Sequence, residues 1–553
     1  MLTFGLFSDL HNSKGDFENV MNNIFELTNG GETLNAVVMV GDIVYHPSTD
    51  SVPSTESYAM INANEKFSKI KSEGRLVFAM GNHEFPLHAN ERENCRVAKE
   101  VFVRETGLTP EKVTVFEGYH FITAGPDTYR NDLSEEQERF ITDSVKAALE
   151  SDPVKPVFLI IHQPVDGTLP GTASYDFYSA ELEEFLKSQP RLVVFSGHMH
   201  HPSSDPQSIY QVPGGATFVY TSSLMGGNGA KPPYVTERHS NWPCQAIMMH
   251  IDTDTNIITL KRFYVSEKPE YLEGGDWVLD IPAMMRDGEK AYKYTDARKE
   301  LSVAPYFKSG DALTVTEIGE NSARVIIPTP EQGAEGEDSV VAYYNIELFN
   351  KTENKLEKSM KVLSDYFLKD KSKLFSYNFF ALPDSTKWEI KVTPVTPWLV
   401  EGSNSLTAEF ETSEPLFDEV DFDEEYTAKY NVMADAEING SKTVYGSFIM
   451  ILHAWRTLFD YTVEINTPGT YRIFLETSAK GNTQFNVTVY DSDKNIIGGG
   501  SNITNTGGYT EFKFIPHADV TFEKPGTYTV ACEKPVGNYT VSVRDMMIRK
   551  VVK

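Results

Sequence analysis

Short, continuous apolar runs punctuate the first half of the chain. Leu2–Phe7, Ala36–Val40, Leu76–Ala79, Val157–Ile161, Leu192–Phe195, Thr217–Tyr220 and Ala246–Ile251 each read as a strand. Between several of them lie amphipathic stretches of helical length, such as 54–73, 89–105 and 134–150. Ser134-Glu135-Glu136-Gln137 has the form of a capping box at the start of the last. A strand that is apolar at nearly every position must be covered on both faces, as strands of helix-flanked parallel sheets are. Residues 1–265 are therefore expected to form a layered α/β core with much parallel pairing.

After about residue 305 the helical period fades, and alternating strands with turn dipeptides take over. Pro-Gly-Thr-Tyr occurs at 468–471 and 525–528, each time opening a run of alternating apolar residues. A boundary near 413 is expected in the acidic stretch Glu411–Glu425. The expected organisation is an α/β domain at 1–285, a linker at 286–304, and all-β modules at 305–413 and 414–553. The connecting stretch 266–304 holds Glu273-Gly274-Gly275-Asp276-Trp277 and then a charged run with Tyr292 and Tyr294. Neither a solenoid repeat nor a low-complexity tract is visible.

The polar residues that interrupt this pattern cluster where apolar strands end. Phe4–Phe7 runs into Ser8-Asp9-Leu10-His11, Val37–Val40 into Gly41-Asp42, and Val77–Met80 into Gly81-Asn82-His83-Glu84. Phe158–Ile161 runs into His162-Gln163-Pro164, and Val193–Phe195 into Ser196-Gly197-His198-Met199-His200. In open α/β sheets the functional crevice lies at the carboxyl ends of the strands. The set Asp9, His11, Asp42, Asn82, His162, His198 and His200 mixes carboxylate, imidazole and one carboxamide, with no thiolate. That chemistry suits manganese, iron or zinc and argues against a structural zinc site or copper. Seven donors are too many for one four-coordinate ion and suit two ions sharing a bridging carboxylate, an arrangement fitted to phosphoryl displacement.

Charge narrows the partners. Lysine plus arginine number 50 against 79 aspartate plus glutamate, a net charge of −29. So acidic a surface is a poor counterion for nucleic acid or an anionic membrane, and a polyanionic substrate needs local help from metal. Cys95, Cys244 and Cys532 are too far apart and too few for a disulfide framework or a thiolate zinc site. No apolar run reaches the ~18–20 residues of a membrane helix, and no secretory leader is visible. The chain opens inside its first strand, as expected of one whose leader has been trimmed.

The ordered blocks Asp-x-His, Gly-Asp, Gly-Asn-His-Glu, His and Gly-His-x-His resemble the calcineurin-like metallophosphoesterase family over roughly the first 265 residues. The resemblance implies two packed mixed sheets flanked by helices in four layers, and two divalent or trivalent transition-metal ions. It implies that Asp9, His11 and His200 hold the first ion, that Asp42 bridges both, and that Asn82, His162 and His198 hold the second. Asn82, His83 and His198 are then expected at the phosphate, with Asp42 and His83 catalytic. His83 would act as general acid toward the leaving alkoxide, or steady the phosphoryl oxygens, while a metal-activated water or hydroxide attacks. Two departures stand out: Ile43-Val44-Tyr45-His46 follows the Gly-Asp block where many members have another acidic residue, and no arginine follows closely, which weakens a protein-phosphatase reading. Glu84 in place of Asp does not discriminate substrate.

Residues 305–413 resemble a fibronectin type III domain, through Leu382-Pro383, Thr386-Lys387-Trp388, Ile390 and Val392, with Trp in place of the corner Tyr. Residues 414–553 resemble a jelly-roll carbohydrate-binding module, with Trp455 and tyrosines as candidates for a sugar platform. Such appendages imply an extracytoplasmic or secreted protein, cytoplasmic placement staying open. The expected activity is hydrolysis of a phosphomonoester or phosphodiester. The alternative is a cell-surface or carbohydrate-binding protein with the front domain as scaffold; the intact ligand set argues against it. An amidohydrolase ranks last, since that class opens on His-x-His. Taken singly, Asp9 and His11 could cap a helix and His162 could be a core histidine. His201 is expected behind the ligands or exposed. His46, His88, His120, His239 and His250 are expected to be structural or superficial, with His46, Arg238 or His239 as candidates to line the substrate pocket. Asp252–Asn256 and Asp491–Asn495 mimic calcium loops but lack the required glycine, so hairpin turns are expected.

Overall fold

A computed structural model describes residues 1–44, 55–86, 92–127, 133–170, 177–224, 243–366, 374–380, 382–430, 435–438, 441–444, 450–452, 457–479, 481–508, 511–535 and 541–552. Two sheets form the centre of the first domain. One contains β1 (Leu2–Phe7), β2 (Ala36–Val40) and β3 (Leu76–Ala79), paired in parallel. The other is built on β4 (Lys112–Phe116), β5 (Tyr119–Ala124), β6 (Val157–Ile161), β7 (Leu192–Ser196), β8 (Ile209–Gln211) and β9 (Thr217–Tyr220), in the order β4-β5-β6-β7-β9-β8. Its four inner strands are parallel and its two edges antiparallel. β10 (Gln245–Ile251) joins the first sheet antiparallel to β1, followed by β11 (Ile257–Tyr264). The stretch read as a connector adds β12 (Glu270–Tyr271) and β13 (Trp277–Asp280) to the free edge of β11.

The sheets pack face to face. Phe4, Leu6, Val38 and Val40 of the first meet Phe121, Phe158, Ile160, Val193 and Phe195 of the second in one buried cluster. The opposite faces are covered by helices: α1 (Lys14–Leu27), α2 (Glu56–Asn62), α3 (Glu65–Ser72) and α4 (Arg92–Thr106) on the first sheet, α5 (Glu135–Ser151) and α6 (Ala180–Lys187) on the second. This four-layer arrangement explains why the strands are apolar on both faces. The helix after β1 has Ser13, not Asp9 or His11, at its N-cap position, leaving those two side chains for other work. Ser134 and Gln137 form the capping box at α5. Asp252–Asn256 and Asp491–Asn495 are tight hairpin turns.

The second module pairs β14 (Thr314–Thr316), β15 (Ala323–Ile327) and β18 (Phe375–Phe379) in one sheet. β16 (Tyr343–Asn350), β17 (Lys355–Leu363), β19 (Lys387–Val395) and β20 (Leu406–Glu411) make the other, in the order β17-β16-β19-β20. Trp388 and Leu382 are buried between them with Tyr344, Val325 and Phe410. The last module is a second sandwich. Its core is built by strands Thr457–Ile465, Gly469–Ala479, Thr483–Tyr490, Lys513–Phe522, Gly526–Lys534 and Val541–Val551. Both Pro-Gly-Thr-Tyr segments use their tyrosine alike: Tyr471 and Tyr528 donate to the carbonyls of Thr467 and Lys524 at 2.7 and 2.8 Å. Among the described residues no helix is long and apolar enough to cross a membrane, and the three cysteines are free.

Candidate metal centre

The turns that follow the parallel strands are laced together by their backbones. Asp9 donates its N–H to the Gly41 carbonyl, His11 to that of Asp42 and Asn12 to that of Ile43, each at 3.1 Å. The Gly197 N–H reaches the His162 carbonyl at 2.9 Å. Five residues of the predicted site sit in the left-handed region: Asp9 (φ 53°), His11 (46°), Asp42 (53°), His198 (66°) and His200 (50°). Asp and His tolerate this conformation better than most, yet each instance costs on the order of 1–3 kcal/mol and persists only where neighbours over-determine it. Such strain aims successive side chains into one place.

All eight predicted residues converge there. Asp9 Oδ1 lies 3.1 Å from His200 Nε2, 3.8 Å from His162 Nε2 and 3.9 Å from His11 Nε2. Asp42 Oδ2 lies 2.8 Å from His162 Nε2 and 3.8 Å from His11 Nε2. The Nε2 atoms of His11 and His200 are 3.0 Å apart, and His198 Nδ1 is 2.9 Å from Asn82 Oδ1. His162 Nδ1 is 2.6 Å from the Val40 carbonyl, which directs Nε2 inward. Two groups able to hold an ion emerge, Asp9, His11, Asp42 and His200, and Asp42, His162 and His198, with Asp42 common to both. His83 donates its backbone N–H to Asp42 Oδ1 at 2.8 Å, and its ring stands edge-on to His11 with centroids 4.7 Å apart.

The electrostatics fit a cation. Burial pushes the Asp9 and Asp42 carboxyls up, but the surrounding imidazoles, His200 for Asp9 and His162 for Asp42, more than reverse this and hold both below the usual carboxylate range. Burial pushes His11 down to about 3, outweighing Asp42, and pushes His198 down to about 3, with His162 adding. Ionised carboxylates and neutral imidazoles are the protonation states that ligate metal. His162 differs: burial works against its charge, but Asp42 overcomes this and raises it to about 10, so a cation arriving there displaces a proton. Carboxylates and imidazoles facing one another at these distances are a donor set that can hold metal ions.

One feature escaped sequence reasoning. Glu84 is buried, and its carboxylate accepts four backbone N–H groups: Oε2 from Asp42 (3.0 Å) and Gly81 (2.5 Å), Oε1 from Ile43 (2.8 Å) and Val44 (3.3 Å). Burial, then Asp42, push it up to about 7 against the pull of the Gly81 and Ile43 N–H groups. His201, expected behind the ligands or exposed, takes the first of these places. His201 is buried and its Nε2 lies 2.8 Å from Asp205 Oδ2. Nothing local in the sequence marks the role of Glu84, because it acts on backbone brought close by the fold; Asp205, by contrast, stands only four residues after His201. His46, His88, Arg238, His239 and Trp455 lie outside the described residues.

Residues 2–202 match the family described as calcineurin-like phosphoesterase. No curated protein matches the chain. Among solved structures, TT1561 of Thermus thermophilus is 16% identical, the match covering 48% of this chain and 99% of that one with a TM-score of 0.28. The purple acid phosphatase PPD1 from yellow lupin seeds is 12% identical, covering 50% of this chain and 53% of that one at a TM-score of 0.35. The C-terminal CBM6 of LamC from Zobellia galactanivorans is 17% identical, the match covering 23% of this chain and 97% of that one at a TM-score of 0.15. The five ordered sequence blocks, their convergence at the strand ends and the family match agree on a calcineurin-like phosphoesterase domain over residues 2–202.

Proposed function

We propose that the protein is a metal-dependent hydrolase of phosphate esters working at a two-ion centre. The observation that carries this reading is Asp42, whose carboxylate belongs to both ligand groups. In this reading Asp9, His11 and His200 hold one ion, Asn82, His162 and His198 the other, and Asp42 both. Ions held there supply Lewis acidity at the phosphoryl oxygens and lower the pKa of a coordinated water toward ~7. The chain's own residues do the rest. Asn82 and His198, already 2.9 Å apart, face the phosphate together with His83. His83, held by its backbone to Asp42 but with its ring beside His11, gives a proton to the leaving oxygen or steadies a phosphoryl oxygen. The substrate is a phosphomonoester or phosphodiester. Elemental analysis of purified protein tests the centre: about two transition-metal ions per chain support it, and none after loading with manganese, iron(II) or zinc refutes it.

For the rear modules we propose a fibronectin type III-like sandwich at 305–413 and a carbohydrate-binding sandwich at 414–553. The three-plus-four strand order and the buried Trp388 and Leu382 support the first. The second rests on its two-sheet architecture and is tested by retention on immobilised polysaccharide. An extracytoplasmic location is proposed from this modular plan alone.

A further inference from the structure

We propose that Glu337, contributed by the second module, is a positioning residue for the metal centre. It acts through two arginines that clamp the loop continuing from His198 and His200. The inference rests on the metal-centre reading above. Arg262, on β11, and Arg298 are 2% and 4% exposed. The acids that pair with them come from the short 3-10 helix Glu337–Ser339. Glu337 Oε2 accepts from Arg262 at 3.1 Å, and its Oε1 accepts from Arg298 at 2.9 Å and from the Trp277 indole N–H at 3.2 Å. Asp338 Oδ1 lies 2.8 Å from Arg298 Nε and accepts the Trp398 N–H at 2.9 Å. The Arg262 guanidinium lies 4.0 Å over the Trp277 ring.

The other ends of the arginines reach the loop. Arg262 donates to the Ser203 carbonyl at 2.8 Å and Arg298 to the Pro206 carbonyl at 2.5 Å. These carbonyls bracket Asp205, which holds His201 at 2.8 Å and accepts the Gln207 N–H at 2.8 Å. The Tyr366 hydroxyl of the second module faces the same carboxylate. His201 directly follows His200, and both His198 and His200 hold strained left-handed backbone. Strain of that kind lasts only if the surroundings forbid relaxation. A buried ion pair adds little net stability, so fixing a geometry accounts better for two buried arginines than holding the modules together does. By this account the second module is part of the catalytic unit.

The test uses the full-length protein, stripped of metal and titrated with manganese by calorimetry, beside steady-state assays on a chromogenic phosphate ester. Glu337→Gln keeps shape and removes charge. It is expected to weaken manganese binding about 10–100-fold and to lower kcat with little change in KM, while circular dichroism stays that of the wild type. Asp519→Asn, which breaks the Arg472–Asp519 pair in the last module, is expected to leave both unchanged. Tyr366→Phe, which deletes one hydroxyl, is expected to weaken binding several-fold and serves if Glu337→Gln does not fold. Wild-type affinity and kcat in a folded Glu337→Gln, or in Tyr366→Phe where only that variant folds, overturn the proposal while leaving the metal centre intact. A wild-type protein that takes up no manganese overturns both.

Discussion

The Glu84 carboxylate accepts the backbone N–H of Asp42 at 3.0 Å, across 42 residues of sequence. Through the same two oxygens it also holds the N–H groups of Gly81, Ile43 and Val44, so one side chain ties the turn after β3 to the turn after β2. Each orphaned buried donor costs about 1–3 kcal/mol. Glu84→Ala is therefore expected to destabilise the first domain by at least about 4 kcal/mol in urea unfolding and to abolish metal retention. A variant within about 1 kcal/mol of wild type contradicts this role.

Gly81 is required by space. A Cβ there would sit 2.2 Å from Asp42 Oδ1 and 2.7 Å from its backbone nitrogen. Gly81→Ala must push the shared carboxylate aside, and displacement of about 1 Å at a reacting centre costs roughly 10²-fold in rate. The expected result is a folded protein with reduced metal content and activity down about 10²-fold or more, checked by elemental analysis and steady-state assay.

His83 separates proton transfer from metal binding. If it serves the leaving group, His83→Ala lowers kcat by roughly 10²–10⁴-fold with metal content unchanged. Loss of an ion in that variant makes His83 a support of the centre instead.

The last module carries a pH liability of its own. His517 is fully buried, both ring nitrogens lack partners among the described residues, and burial lowers its pKa from 6.5 to about 4. The unfolded chain binds the proton between those values and the native state does not. Stability is therefore complete above pH 6.5 and falls as pH drops toward 4, by about 3 kcal/mol from this residue. His517→Leu is expected to remove that share of the pH dependence, read as the change in unfolding free energy between pH 7 and pH 4 in the two proteins. Identical pH slopes contradict it.

The candidate site was legible because its residues interrupt strands that are otherwise apolar. Val157–Ile161 and Leu192–Ser196 are buried at every position, so the first polar residues after them stand out. The hairpin of β4 and β5 is not legible in the sequence, because β4 is an edge strand with Val113 and Val115 exposed, which blurs its pattern. The stretch 266–304 looked like a connector because its sequence is charged. In the fold its charges meet partners: Trp277 and Tyr292 enter the inter-sheet core, and Arg298 is buried against acids of the next module. Most partners of Glu84 and Glu337 are distant in the chain, which hides the roles of both in the sequence.

The most direct test of the phosphoesterase reading is turnover by metal-stripped protein. A chromogenic phosphomonoester and the matching phosphodiester are offered while manganese, zinc, iron(II) and magnesium are returned one at a time, with Asp42→Asn alongside. The account predicts that at least one transition metal restores hydrolysis of at least one ester, and that Asp42→Asn abolishes it. Turnover that is indifferent to metal, or that survives in Asp42→Asn, would contradict it.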